Sequence, residues 1–313
     1  MSITSAMFSG VSGMLANAEG INVIGNNLAN VNTVGFKYNR MLFADMMYVD
    51  AGNGSQLGRG TKIDKIDNVM GQGAFENTEV VTDLAIQGEG FFAIGPTTGD
   101  DPTVLTLNGS SRFTRAGAFR LGPIVDDGTN QWLPLITPGG NRVLDEGDGD
   151  PTAAPPVAST GGYPIFIPTT YTDASANVLT FQKIAAINDD GVISILYAND
   201  AGVQAKVYYA GQGTVNPDAT LTKKVGYAVV PNPQAMTKEG SNIFSANLTS
   251  GDPVIGRANG NNSKIYSNSL EQSNVDMAAQ FVKMILTQRA YSANSKTITT
   301  ADEMTQEVLN LKR

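Results

Sequence analysis

Both ends of this 313-residue chain carry a helical hydrophobic repeat, and the long stretch between them does not. From Ser2 to Asn30 the residues Met7, Val11, Met14, Ala18, Ile21, Gly25 and Leu28 alternate steps of four and three. That is a heptad seam, which Ile3 and Ile24 widen. At 1.5 Å per residue it makes a rod of ~40 Å. The rest of the segment opposes helix formation. Gly10, Gly13, Gly20 and Gly25 each cost about 1 kcal/mol relative to Ala. The other face is Ser and Asn, with Glu19 the only charge before Lys37. Alone in water such a segment is mostly unfolded, so packing partners must supply the missing stability. Small residues permit close approach, and the lack of charge removes repulsion between stacked copies. The segment reads as one that orders on assembly; a helix packed inside its own subunit is the alternative.

The C-terminal repeat is the better helix. No Gly or Pro follows Gly260, and Ser273-Asn274-Val275-Asp276 matches a capping box that opens the run. Met277, Ala278, Phe281, Val282, Met284 and Ile285 follow, then Ala293, Ala301, Met304, Val308 and Leu311. From Asn274 to Leu311 this is ~57 Å of helix, with a bend expected at the β-branched run Thr297–Thr300. Lys283, Arg289 and Lys296 read as a solvated basic edge. Neither terminal helix has a partner nearby in sequence, so the two are expected to pair as one discontinuous coiled-coil domain. A pair leaves apolar surface open, which favours bundling with further copies. The expected subunit interface is Met7, Val11, Met14, Ile21, Ile24 and Leu28 with Phe281, Val282, Ile285, Met304, Val308 and Leu311.

Composition closes off much chemistry. The chain has no Cys and no His, which excludes disulfides, thiol nucleophiles, Cys/His zinc sites and a histidine general base. A net charge of −8 has the wrong sign for nonspecific binding to nucleic acid or an anionic membrane. No segment approaches the ~20 apolar residues of a membrane span, and no positive n-region marks a cleavable signal peptide.

Between the helical ends, residues 31–80 read as an extended connector with Gly/Asn-rich turns over Ala51–Gly60, and 81–273 as an all-β body of the sandwich or barrel kind. Asn188-Asp189-Asp190-Gly191 and Asn199-Asp200-Ala201-Gly202 are hairpin turns, giving a meander across 178–209. The fold class is α+β. Gly88-Glu89-Gly90-Phe91-Phe92-Ala93 has the spacing of a dinucleotide fingerprint but leads into a strand rather than a helix, so it reads as a turn. The run Asp145–Asp150 could ligate calcium but lacks the EF-hand spacing; a solvated loop is the preferred reading. Tyr197, Tyr208, Tyr209, Tyr227 and Phe244 could form a sugar platform, though strand aromatics are more often packing. No catalytic, cofactor or metal site is nominated.

One string is more specific. Asn26-Asn27-Leu28-Ala29-Asn30-Val31-Asn32-Thr33-Val34-Gly35-Phe36-Lys37 resembles the N-terminal signature of the bacterial flagellar rod and hook proteins. Leu84–Phe92 (LAIQGEGFF) and Phe113–Phe119 (FTRAGAF) look like that family's core β motifs, and Ser273–Arg313 looks like its C-terminal helix. Residues 121–225 lie largely outside the resemblance. It implies a non-enzymatic axial subunit that forms a homopolymer, a hollow tube with the terminal helices lining its core and the β domain outside. It implies export through the flagellar type III apparatus without a cleaved signal peptide, and folding of the ends by docking. The start MSITSAMFSGVSGM and the end EVLNLKR look more like the hook members than the distal rod members, with 121–225 as a reduced outer insert. Expected neighbours are then the distal rod protein, the hook cap and the hook–filament junction proteins, in a flagellum outside the cell body. The alternatives are a distal rod subunit or, from another class, a secreted carbohydrate-binding protein or glycosidase.

Overall fold

The computed structural model describes residues 3–52, 54–96, 106–107, 111–126, 130–147, 161–199, 202–220, 222–256 and 263–311. Two helices, α1 (Ile3–Ala29) and α2 (Met277–Leu311), flank a run of β-strands, so the chain is α+β. It divides into two compact units, one of Met1–Asn32, Lys37–Gly71 and Asn274–Arg313, the other of Thr33–Phe36 and Gln72–Ser273.

In the first unit α1 and α2 pair antiparallel, but not on the expected heptad seam. A Cβ added at Gly10 would lie 2.9 Å from Cγ1 of Ile298, and one at Gly13 would lie 2.6 Å from Nδ2 of Asn294. Further along, Gly20 faces Thr287, and Asn27 Nδ2 donates to Gln280 Oε1 at 3.4 Å. The contact face of α1 therefore runs through Gly10, Gly13, Gly20 and Asn27. The physical reason is distance: without side chains at the crossing points the backbones approach, and the larger residues turn elsewhere. Glycines that weaken the isolated helix are what let the pair close.

α2 also starts later than its capping box suggests. Asp276 is the N-cap, its Oδ1 accepting the Ala279 amide at 3.2 Å. Asn274 is occupied otherwise, accepting from the Tyr38 amide and donating to the Val69 and Gly71 carbonyls. The β-branched run does not interrupt the helix. Thr297, Thr299 and Thr300 donate their hydroxyls to carbonyls three or four residues back, and α2 runs on through them.

Residues 31–80, expected as a connector, include a long antiparallel hairpin. Asn39–Asp45 pairs with Thr61–Asn68, and Tyr48–Gly52 with Ser55–Gly58. The hairpin's base packs on α1. The Asn27 side chain bonds both backbone groups of Asn39 at 2.8 Å, the Thr61 amide donates to Ser12 Oγ, and the Met41 methyl lies against Gly20.

Among its described residues the second unit has β-strands and one 3₁₀ turn at Pro233–Ala235. Its large sheet runs Arg120–Leu121, Gln131–Ile136, Arg142–Val143, Phe91–Gly95, Arg112–Thr114, Ile243–Ser245 and Thr237–Gly240, with shorter strands branching from it. A second sheet of five strands is a meander, Thr170–Thr172, Val178–Ile187, Ile193–Ala198, Gln204–Gly211 and Thr214–Asn216. The two Asn-initiated turns close it, the Gly191 and Gly202 amides donating to the Asn188 and Asn199 carbonyls. One continuous core joins the sheets, from Leu84, Ile86 and Phe92 through Leu135 and Ile165 to Ile195, Tyr197 and Tyr209. Residues 121–225 supply most of it. Tyr197, Tyr209, Tyr227 and Phe244 are buried, Tyr208 is half-buried, and these rings pack rather than form a platform.

Candidate assembly surface

The helices of the first unit leave large apolar side chains in the open. On α2, Phe281, Val282, Ile285, Met304, Val308 and Leu311 are all half or more exposed. On α1 the expected interface residues divide. Val11 is 40% exposed and Ile24 buried, while Met7, Met14, Ile21 and Leu28 are half-buried. The heptad count missed the two most exposed apolar residues of α1, Phe8 and Leu15, and on α2 it missed Leu286 and Leu309. Exposure is the signal it lacked: Phe8 and Leu15 lie just off the 7–11–14 seam, and only the identity of the buried face shows which side of α1 is left open. Lys283, Arg289 and Lys296 are exposed, as a solvated edge requires. Beside α1, a groove of about 450 Å³ is lined by Ser5, Phe8, Val11, Ser12, Leu15, Met46 and Arg59.

The β unit shows the opposite habit, with its polar groups drawn inside. Arg115 is 4% exposed and Glu271 fully buried, and their side chains pair at 3.1 Å. Arg115 also donates to the Ile86 and Gly88 carbonyls and stacks over the Phe91 ring at 5.4 Å. Glu271 Oε1 accepts from the Gly73 amide and from Gln72 Nε2. The Gly35 amide donates to the Glu271 carbonyl at 2.7 Å, with φ of +69° and no room for a Cβ beside the Ala116 amide. Three of the four strings behind the sequence resemblance thus meet at one buried ion pair, a structural node. Gly88 and Gly90 belong to the same neighbourhood, both at positive φ in the turn before Phe91–Gly95, with no helix following.

The acidic run departs from the solvated loop expected. Asp145 is fully buried and Glu146 nearly so; Asp148–Asp150 lie outside the described residues. Asp145 Oδ1 accepts the Gly147 and Tyr163 amides, each at 2.8 Å, and Oδ2 faces the Tyr209 hydroxyl at 3.3 Å. Burial pushes its carboxyl up to about 6, against the lowering effect of those amides, Lys223 and Tyr209. The Tyr209 phenol is raised by its own burial and then by Asp145. Among the described residues no group of acidic side chains is placed to hold a metal ion.

A chain that closes a β body around its own core while its paired terminal helices turn apolar stripes outward is a structural subunit made to be packed into an assembly. Comparison with known proteins says which. Residues 7–37 match the family described as flagella basal body rod protein, and residues 266–311 the one described as flagellar basal body rod FlgEFG protein C-terminal. The chain is 34% identical over 322 aligned positions to the flagellar basal-body rod protein FlgG of Bacillus subtilis (strain 168), covering 98% of this chain and 99% of the relative. It is 29% identical to FlgG of Borreliella burgdorferi, with 98% of each chain covered. It is 26% identical over 410 positions to the flagellar hook protein FlgE of Rhizobium meliloti (strain 1021), with all of both chains covered. The chain belongs to the flagellar rod and hook family of axial structural proteins, and its place is the basal body and hook of the bacterial flagellum. No helix among the described residues is long and apolar enough to cross a membrane.

Proposed function

We propose that this chain polymerises through its terminal helices into the hollow flagellar hook, the flexible joint that passes torque from rod to filament. The carrying observation is the outward apolar surface of α1 and α2, which a lone subunit leaves in water. The hook is favoured within the family because both ends of the chain, MSITSAMFSGVSGM and EVLNLKR, resemble hook members. Percentage identity does not separate hook from rod. Thirty-four per cent of 322 positions and 26% of 410 are the same number of identities, about 110, and the hook alignment is longer by material this chain lacks. The distal rod protein at one end, and cap and junction proteins at the other, are the neighbours this reading requires.

A distal rod subunit, a stiff drive shaft, is the second reading. It is favoured by residues 121–225, which share the common core instead of closing a separate outer one. Immunogold electron microscopy of detached flagella, with antibody against residues 121–250, decides between them. Gold on the curved segment between filament and rod is the expected result. Gold confined to the straight rod replaces the hook reading with the rod reading, and gold on neither overturns both.

A further inference from the structure

The hairpin of residues 39–68 has almost no core of its own. Along its longer strands, Asn39–Asp45 and Thr61–Asn68, only Asp67 is buried, and Phe43, Met47 and Tyr48 stand half or more exposed. A two-stranded hairpin of that kind is marginal in water. Its support is α1. Contacts run from Asn27 at Asn39, through Gly20 at Met41, to Ser12 at Thr61, which pairs with Asp45. From Ser12 to Asn27 the helix rises ~22 Å, and from Asn39 to Asp45 the strand spans ~20 Å, so the strand lies along the helix.

Two asparagines tie the base of the hairpin. The Asn27 carboxamide bonds both backbone groups of Asn39, as a neighbouring strand would, and its other N–H goes to Gln280 of α2 at 3.4 Å. Asn27 is 1% exposed. Asn274, just before the N-cap of α2, stands between the two strand ends. There the Val69 amide donates to the Tyr38 carbonyl at 2.9 Å. An antiparallel pair normally adds the mirror bond, Tyr38 amide to Val69 carbonyl. In its place the Tyr38 amide donates to Asn274 Oδ1, and the Val69 carbonyl accepts from Asn274 Nδ2, each at 2.9 Å. The carboxamide is an inserted rung, and its Nδ2 also donates to the Gly71 carbonyl.

We propose that Asn27 and Asn274 form a latch through which the pairing of α1 with α2 orders the 39–68 hairpin. Asn27 reaches the hairpin and α2 from one side chain, and Asn274 is delivered by the entry to α2. Both points are in place together only when the helices are paired. The hairpin's exposed apolar side chains then take fixed positions only in a copy whose ends have folded. The use of the latch in assembly rests on the reading of the chain as an axial subunit; the latch itself does not.

Amide exchange of the full-length, unassembled chain, read by mass spectrometry, tests it. Urea and trimethylamine N-oxide move the folded fraction of the ends in opposite directions. Peptides of 39–68 are expected to gain and lose protection at the same cosolvent concentration as α1. Gly13→Val, whose added side chain meets Asn294, is expected to shift helix and hairpin together. Asn27→Ala with Asn274→Ala is expected to uncouple them. α1 keeps its protection, since Ala is a better helix residue than Asn, while hairpin exchange quickens about tenfold or more. A hairpin protected where α1 is not, or one that neither set of changes moves, overturns the latch. Failure of the wild-type chain to polymerise is a separate observation and overturns the axial-subunit reading alone.

Discussion

The helical unit and the β unit use similar residues to opposite ends. In the β unit Leu84, Ile86, Phe92, Phe113, Ile195 and Tyr197 are sealed from water, and even two arginines and three acids, Arg115, Arg142, Asp145, Glu146 and Glu271, are buried. In the helical unit the well-buried apolar side chains are few and small, chiefly Ala16, Val23, Ile24 and Ala301, while Phe8, Leu15, Leu286 and Leu311 stand in solvent. A sheet unit with period-two patterning can turn alternate residues inward on its own. A two-helix pair with a glycine seam buries only one narrow face of each helix. The first kind of unit seals its apolar side chains by itself, and the second leaves many of them in water.

The strongest challenge to that contrast is to open the β unit from within. Glu271→Ala leaves Arg115 buried without its counter-charge and removes acceptors from Gln72 and Gly73, a loss of about 3–5 kcal/mol. Trp132 is the only tryptophan and is buried in this unit, so its fluorescence during urea unfolding reports on the β unit. A loss below about 1 kcal/mol would mean that the node is not what holds the unit together.

A smaller effect comes from Asp145. Its carboxyl titrates near 6 in the folded chain, above the usual 3.8, so the folded state holds the proton more tightly than the unfolded state. Its contribution to stability is fully present below pH 3.8 and is lost as pH rises through 6. The window is worth at most about 3 kcal/mol. Asp145→Asn keeps an acceptor for the Gly147 and Tyr163 amides and is expected to flatten this part of the stability curve between pH 4 and 7. An unchanged curve would assign the pH dependence to other groups.

How much of this was legible beforehand differs between the same two regions. The terminal helices, the strands at Leu84–Gln87 and Phe91–Gly95, and the Asn188 and Asn199 hairpin turns follow from local periodicity and turn chemistry, which a sequence carries openly. The rotation of α1 was not legible, because a heptad count weighs Met7 and Val11 above Gly10 and Gly13, while close packing selects the glycines. Asp145 was misread as solvated because its partners, Tyr163 and Tyr209, are distant in sequence. Likewise the node joins Gly35, Gly73, Arg115 and Glu271, four positions that no local pattern connects. The exposed apolar stripes fall between these cases: their apolar character is written in the chain, but which of them stays exposed depends on the seam.

The smallest effect is the most direct probe of the helical unit. Among the glycines of α1, Gly25 alone has nothing within 4 Å of where a Cβ would sit, whereas a Cβ at Gly10 meets Ile298 and at Gly20 meets the Met41 methyl. Gly25→Ala therefore gains helix propensity at no steric cost and is expected to stabilise α1 by about 0.5–1 kcal/mol. Gly10→Ala gains the same propensity but pushes Ile298 off the seam, so it should lose more than it gains. Amide exchange across α1 measures both in the unassembled chain, with the Trp132 unfolding curve as the control that stays fixed. If both substitutions slow exchange equally, the glycines serve no close approach and the two units differ less than their exposed surfaces suggest. If only Gly25→Ala slows it, the seam is glycine by need, and the weakness of the isolated helix follows from what the packed pair requires.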